Sequence, residues 1–139
     1  MNALIDTSVL VAAMVEAEAH HAACRVLVVA GDCGMYAHGL AEVFSTSTGG
    51  TMGFRLYPAM VAGLLEDHFA PKLTLITLSP GETLRAMRET EARGVRGGAV
   101  FDYLHLVAAR KAKAARLYTL NVSTFRSFHR PGDPEIVHP

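Results

Sequence analysis

What the chain has little of narrows its class before any motif is read. Neither charge is in excess: 13 Lys and Arg stand against 13 Asp and Glu. No global field therefore gathers nucleic acid, and any polyanion has to be held by a local patch. Cys24 and Cys33 are the only two cysteines, too few for a secreted disulfide framework, so a reducing cytoplasmic setting is expected. Seven histidines occur, yet no His-x-x-x-His or Cys-x-x-Cys pair, which argues against zinc. No apolar run approaches the roughly 18 residues that cross a bilayer. The opening Met1-Asn2-Ala3-Leu4-Ile5-Asp6 lacks the basic leader and apolar core of a signal peptide. A soluble protein without a membrane partner is the expectation. The Gly-x-Ser-x-Gly elbow of serine hydrolases is missing, and Gly97-Gly98 lacks the spacing of a dinucleotide loop. Asp6-Thr7-Ser8 has a serine where an aspartyl-phosphate phosphatase needs its second aspartate.

What is present is a well-supplied core. With 139 residues, 50% hydrophobic and 19% charged, the chain suits one compact domain, here residues 1–139, without repeat, low-complexity tract or linker. Short apolar runs alternate with longer helical patterns, the signature of a parallel sheet covered by helices on both faces. Strands are expected at 3–5, 35–38, 74–78, 116–120 and 135–138. Helices are expected at 8–15, 20–30, 40–48, 57–69, 80–93 and 99–114. The predicted architecture is a three-layer α/β/α fold around a central, mostly parallel sheet of about five strands.

Three carboxylates fall in apolar surroundings. Asp6 follows Ala3-Leu4-Ile5 and would emerge at the carboxyl rim of the first strand, where parallel sheets gather functional groups. Glu42 interrupts Leu40-Ala41 and Val43-Phe44, and Asp102 sits between Ala99-Val100-Phe101 and Tyr103-Leu104. Each has an ordinary explanation by itself: Asp6 or Asp102 caps a helix, and Glu42 complements a helix dipole. Thr7 and Ser8 can take over the capping after the first strand and leave Asp6 free. Burying an ionised carboxylate alone costs several kcal/mol, and a shared cation offsets that cost. Hard oxygen ligands select Mg²⁺ or Mn²⁺ over zinc.

Leu4-Ile5-Asp6-Thr7-Ser8, the helix of Glu42, Gly97-Gly98-Ala99-Val100-Phe101-Asp102 and Tyr118-Thr119-Leu120-Asn121 with Phe125 follow one another along nearly the whole chain. In this order the set resembles the PIN-domain ribonucleases, most closely the VapC-type toxins of bacterial toxin–antitoxin pairs. The resemblance implies a PIN-like fold, Asp6, Glu42 and Asp102 as the catalytic and metal-binding acids, and Ser8 and Thr119 as supporting hydroxyls. It also implies an Mg²⁺- or Mn²⁺-dependent endoribonuclease that releases a 5′-phosphate and a 3′-hydroxyl, a VapB-type antitoxin partner, and a homodimer formed through the helices after the second strand. Met52, Phe54, Leu56, Tyr57, Met60 and Leu64 supply apolar surface there, although core burial explains them equally. Relatives often carry a fourth acid where this chain has Asn121, which offers a neutral carbonyl oxygen.

Basic residues fall in patches rather than in a field. Arg96 and Arg126 flank the acidic segments and are the candidates for holding RNA phosphates, whereas Arg110 to Arg116 reads as a solvated helix end. Tyr57, Phe101 and Phe125 are expected to pack in the core rather than to stack on bases. His105, three residues after Asp102, is placed to share its helix face. A second reading, prompted by the missing fourth acid, is a PIN-like module that has lost catalysis and binds RNA or protein.

Overall fold

A computed structural model describes all 139 residues. Five strands form one sheet: β1 (Ala3–Ile5), β2 (Cys33–Tyr36), β3 (Thr74–Ile76), β4 (Arg116–Tyr118) and β5 (Glu135–Val137). Their spatial order is β3-β2-β1-β4-β5, and every pairing is parallel. The chain steps outward from β1 to β3, then returns to the other side of β1. That reversal makes the carboxyl end of β1 a switch point, the crevice in which open parallel sheets place their sites.

Seven α-helices cover the sheet: α1 (Thr7–Met14), α2 (His21–Val29), α3 (Gly39–Gly49), α4 (Pro58–Leu64), α5 (Pro80–Arg93), α6 (Ala99–Lys111) and α7 (Val122–Phe128). Alternation along the strands explains the three layers. Ile5 and Met35 face a core shared with Val9, Leu10, Val28, Val43 and Val61, whereas Leu4, Tyr36 and Leu117 face one shared with Tyr103, Leu106, Phe125 and Phe128. Strands buried on both faces read as short continuous apolar runs rather than as alternating ones. No helix is long and apolar enough to cross a membrane.

Local chemistry sets the helix ends. Ser79 and Glu82 form a reciprocal capping box at the start of α5, with Pro80 in its first turn, and Gly94 closes it in the left-handed region at φ +70°. The expected helix at 57–69 divides: α4 ends at Leu64 and passes through a π-helical turn, Leu65–Phe69, into a 3₁₀ turn, Ala70–Lys72. The second strand ends at Tyr36 rather than at His38, and α6 ends at Lys111 rather than at 114.

Helix α7 is not foreshadowed by the sequence. Its residues, Val-Ser-Thr-Phe-Arg-Ser-Phe, are mediocre helix formers. Burial of Phe125 and Phe128 against α6 supplies what propensity does not.

Candidate functional site

The register that pairs Ile5 with both Met35 and Tyr118 brings the residue after β1 level with the residue after β4. Asp6 donates its backbone N–H to the carbonyl of Tyr118 at 3.1 Å, and Thr119 donates its hydroxyl to Asp6 Oδ2 at 2.6 Å. Oδ1 accepts from the Ser8 hydroxyl at 2.6 Å and from the Val9 backbone N–H at 3.2 Å. Asp6 thus caps α1 itself, contrary to the expectation that Thr7 and Ser8 would relieve it. Those two hydroxyls act elsewhere. Ser8 accepts from the backbone N–H of Leu120 at 3.0 Å, and Thr7 reaches Glu42 Oε1 at 3.0 Å.

Glu42 lies in the first turn of α3 and, like Asp6, makes three side-chain hydrogen bonds. Besides Thr7, it engages Nε2 of His105 through Oε1 at 3.2 Å and Nδ1 of His38 through Oε2 at 2.9 Å. Burial, the largest single influence, acts to raise its pKa. The bond and positive charge of His105, with His38 and Thr7, outweigh burial and bring it to about 2.

Asp102, in the first turn of α6, has no such support. Burial, then the nearby charges of Asp6 and Glu42, push its pKa up to about 6, against which only the charge of His105 acts. Burial likewise raises the pKa of Asp6, opposed by His105 and by its hydroxyl and backbone donors. Two carboxylates raised above their ordinary values, close enough to affect each other, form an electrostatically unsatisfied site of the kind found at functional centres.

All three acids line one pocket of about 720 Å³, with Ser8, His38, Phe101 and Asn121 among its other walls. Glu18, from the connection between α1 and α2, adds a fourth carboxylate, and no Lys or Arg lines the pocket. As the side chains stand, no three Asp, Glu, His or Cys groups close around a common point. The oxygens of Asp6 and Glu42 are turned to hydroxyl, imidazole and amide donors instead. The donor chemistry nevertheless fits a hard divalent cation: carboxylate oxygens, a hydroxyl-rich surround, and a surplus of negative charge at Asp102.

The remaining expected residues divide. Asn121 precedes α7, donates its backbone N–H to the Thr119 hydroxyl at 2.9 Å, and leaves its side chain free of any capping bond. Arg96 and Arg126 are exposed but do not line the pocket. Phe125 is in the core as expected, whereas Phe101 is 48% exposed and Tyr57 80% exposed. Both were expected inside. Phe101 follows the greasy start of α6 but points to the pocket, and Tyr57 precedes Pro58 in an extended conformation outside α4.

His105 acts on Asp102 through its charge and, fully buried, also reaches across to Glu42 and Thr7. Its Nδ1 has no hydrogen-bond partner. Glycine makes that placement possible: a Cβ at Gly39 would stand 2.9 Å from His105 Cε1. His38 was not singled out by the sequence, although its i, i+4 spacing to Glu42 was a readable signal. Glu18 gave none, because Glu16-Ala17-Glu18 reads as an ordinary polar connection.

No protein-family model and no curated protein matches the sequence. Solved structures do match in shape. The toxin VapC20 of Mycobacterium tuberculosis, described as cleaving the sarcin-ricin loop, superimposes with a TM-score of 0.72 at 15% identity, covering 99% of each chain. VapBC2 of Rickettsia felis, bound to a DNA fragment from its promoter, gives 0.67 at 18% identity over 100% of this chain and 99% of that one. FitAcB of Neisseria gonorrhoeae gives 0.64 at 15% identity over 99% and 97%. With the all-parallel β3-β2-β1-β4-β5 sheet and its helices on both faces, the chain has the PIN-like three-layer α/β/α fold of these toxin structures.

Proposed function

We propose that this protein is an Mg²⁺- or Mn²⁺-dependent endoribonuclease acting as the toxin of a toxin–antitoxin pair. The observation that carries the reading is Asp102: a carboxylate held in a pocket beside Asp6 and Glu42, its pKa lifted to about 6 by burial and by their charge. With no Lys or Arg in the lining, an RNA phosphate is repelled from this pocket until a cation balances it. Asp6 and Asp102 are the principal ligands in this reading, and Glu42 joins them by turning its Oε2 from His38. Bound there, the cation would polarise a phosphoryl oxygen and lower the pKa of an attacking water. Ser8 and Thr119 orient Asp6 through its two oxygens, and Thr7 and His105 fix Glu42. Asn121 is placed to offer its amide to RNA or to water in the pocket.

The partners follow from the same reading. A VapB-type antitoxin is proposed to silence the cleft, and a homodimer to form through α3 and α4. A shallow groove of about 490 Å³ between these helices, with Phe44 and Leu65 in its walls, supports an interface there. Arg96 and Arg126 are proposed to steer the RNA backbone from outside the pocket, and the cytoplasm is the proposed compartment.

Cleavage of mixed RNA in Mg²⁺, in Mn²⁺ and in chelator tests the function. Scission in either metal, absent in chelator and leaving 5′-phosphate ends, is expected. RNA binding without scission in any metal would favour the module that has lost catalysis.

A further inference from the structure

We propose that the bond between His38 and Glu42 is an autoinhibitory latch, which withholds one carboxylate oxygen from a divalent cation and so sets the metal affinity of the pocket. This rests on the metal-dependent reading. Both oxygens of Glu42 are occupied: Oε1 accepts from the Thr7 hydroxyl at 3.0 Å and from Nε2 of His105 at 3.2 Å, and Oε2 accepts from Nδ1 of His38 at 2.9 Å. A carboxylate engaged in this way has to give up a charge-assisted bond before it can turn to a cation.

The two oxygens are not held alike, and burial decides which is released. His105 is fully buried, and its Nδ1 already lacks a partner. Breaking its bond to Oε1 would leave it only the 3.3 Å contact with Thr7, a costly state for a buried polar group. His38 is half exposed, so water replaces Glu42 on its Nδ1 at little cost. Oε2 is therefore the oxygen that opens.

The latch is also built to close again. The His38 ring stacks on Phe101, with 6.0 Å between centroids and 9° between planes, and on Tyr36, at 5.8 Å and 30°. These contacts keep Nδ1 in place when Glu42 leaves. His38 immediately precedes α3 and Glu42 lies in its first turn, so the i, i+4 pair belongs to one element and opens without any change in the fold. When the cation departs, Glu42 returns to a donor that has not moved.

Calorimetric titration with Mn²⁺ at one pH, without RNA, tests the latch in wild type, His38→Phe and His38→Asn. Phenylalanine keeps the stack and removes the donor, so His38→Phe should bind Mn²⁺ about tenfold tighter, the equivalent of one charge-assisted hydrogen bond. Asparagine places an amide N–H where Nδ1 stands, so His38→Asn should stay within about twofold of wild type. In a Glu42→Ala background, His38→Phe should change nothing, because the oxygen it frees is gone. Nitrogen NMR of the wild-type imidazoles keeps the test independent of any variant's folding: saturating Mg²⁺ should shift the His38 signals far more than those of His105. Unchanged Mn²⁺ affinity in His38→Phe would overturn the latch, and weaker binding would do so by making His38 a ligand. Equal tightening in His38→Phe and His38→Asn, or movement of His105 rather than His38, would overturn it as well. A wild-type protein that binds neither Mg²⁺ nor Mn²⁺ would defeat both the latch and the metal-dependent reading. Mn²⁺ binding with the expected variant pattern but no RNA scission would defeat the ribonuclease reading and leave the latch standing.

Discussion

The hydroxyl of Thr119 donates to Oδ2 of Asp6 across 2.6 Å, joining residues 113 positions apart. Both lie one residue beyond the carboxyl ends of adjacent parallel strands. The contact follows from strand register and is the anchor of the acidic pocket. Replacing Thr119 by Val leaves Oδ2 of a buried carboxylate without its donor, at a cost of roughly 1–3 kcal/mol. Urea unfolding should show that loss, and Thr119→Ser should recover most of it.

Asp102→Asn should move activity and stability in opposite directions. Removing the charge relieves repulsion with Asp6 and Glu42 and the burial cost that raise its pKa to about 6. Allowing for partial solvent screening, the gain in chelator is on the order of 1–2 kcal/mol, read as a higher melting temperature. Metal-dependent RNA cleavage should be abolished in the same variant. Cleavage at the wild-type rate would remove Asp102 from the catalytic assignment.

Asn121→Asp should tighten Mn²⁺ binding, because one more carboxylate faces the pocket it lines. The same charge should lower stability in chelator through repulsion with its acidic neighbours. Calorimetric titration of both proteins at one pH decides the matter, and equal affinities would place Asn121 outside the metal shell.

Gly39→Ala should destabilise the protein by roughly 1–3 kcal/mol, the usual cost of overpacking. The new methyl would meet Met35 Cε at 2.5 Å, which can swing aside, and the buried His105 ring at 2.9 Å, which is confined. His105 supports Glu42, so the variant should also weaken Mn²⁺ affinity. A more stable protein with unaltered affinity would show that the ring has room to move.

Glu89 gives a pH signature away from the pocket. It accepts from the Tyr103 hydroxyl and from Arg110 at 2.9 Å. Burial acts to raise its pKa, but these donors and the charges of Arg110 and Arg93 bring it below its ordinary value. A depressed folded-state pKa contributes stability that is full above the unfolded value and is lost as pH falls through the folded one. Stability measured downward from about pH 5 should therefore decline less steeply in Glu89→Gln than in wild type. An identical slope would remove Glu89 from the acid transition.

The apolar run Ala3-Leu4-Ile5 was legible because a strand buried on both faces leaves no alternation to misread. Asp6 was legible for the same reason, as the first polar residue beyond such a run. Its role as the cap of α1 was not, since Thr7 and Ser8 are equally good caps by type and only tertiary partners divide the work. His105 reads locally as a neighbour of Asp102, yet strand order delivers it to Glu42, 63 residues away. Phe101 was misplaced because hydrophobicity marks burial only on average, and a helix start at a pocket mouth is an exception. Helix α7 escaped notice because its stability comes from Phe125 and Phe128 rather than from its own propensities.

The most direct test of the central claim is a crystal of the wild-type protein grown with Mn²⁺ and measured for anomalous scattering at the manganese edge. A peak at direct ligation distance, about 2 Å, from oxygens of both Asp6 and Asp102 is the predicted result, with Glu42 turned toward it. No peak in that pocket at saturating Mn²⁺, or a peak held only by residues elsewhere, would contradict the metal-dependent site.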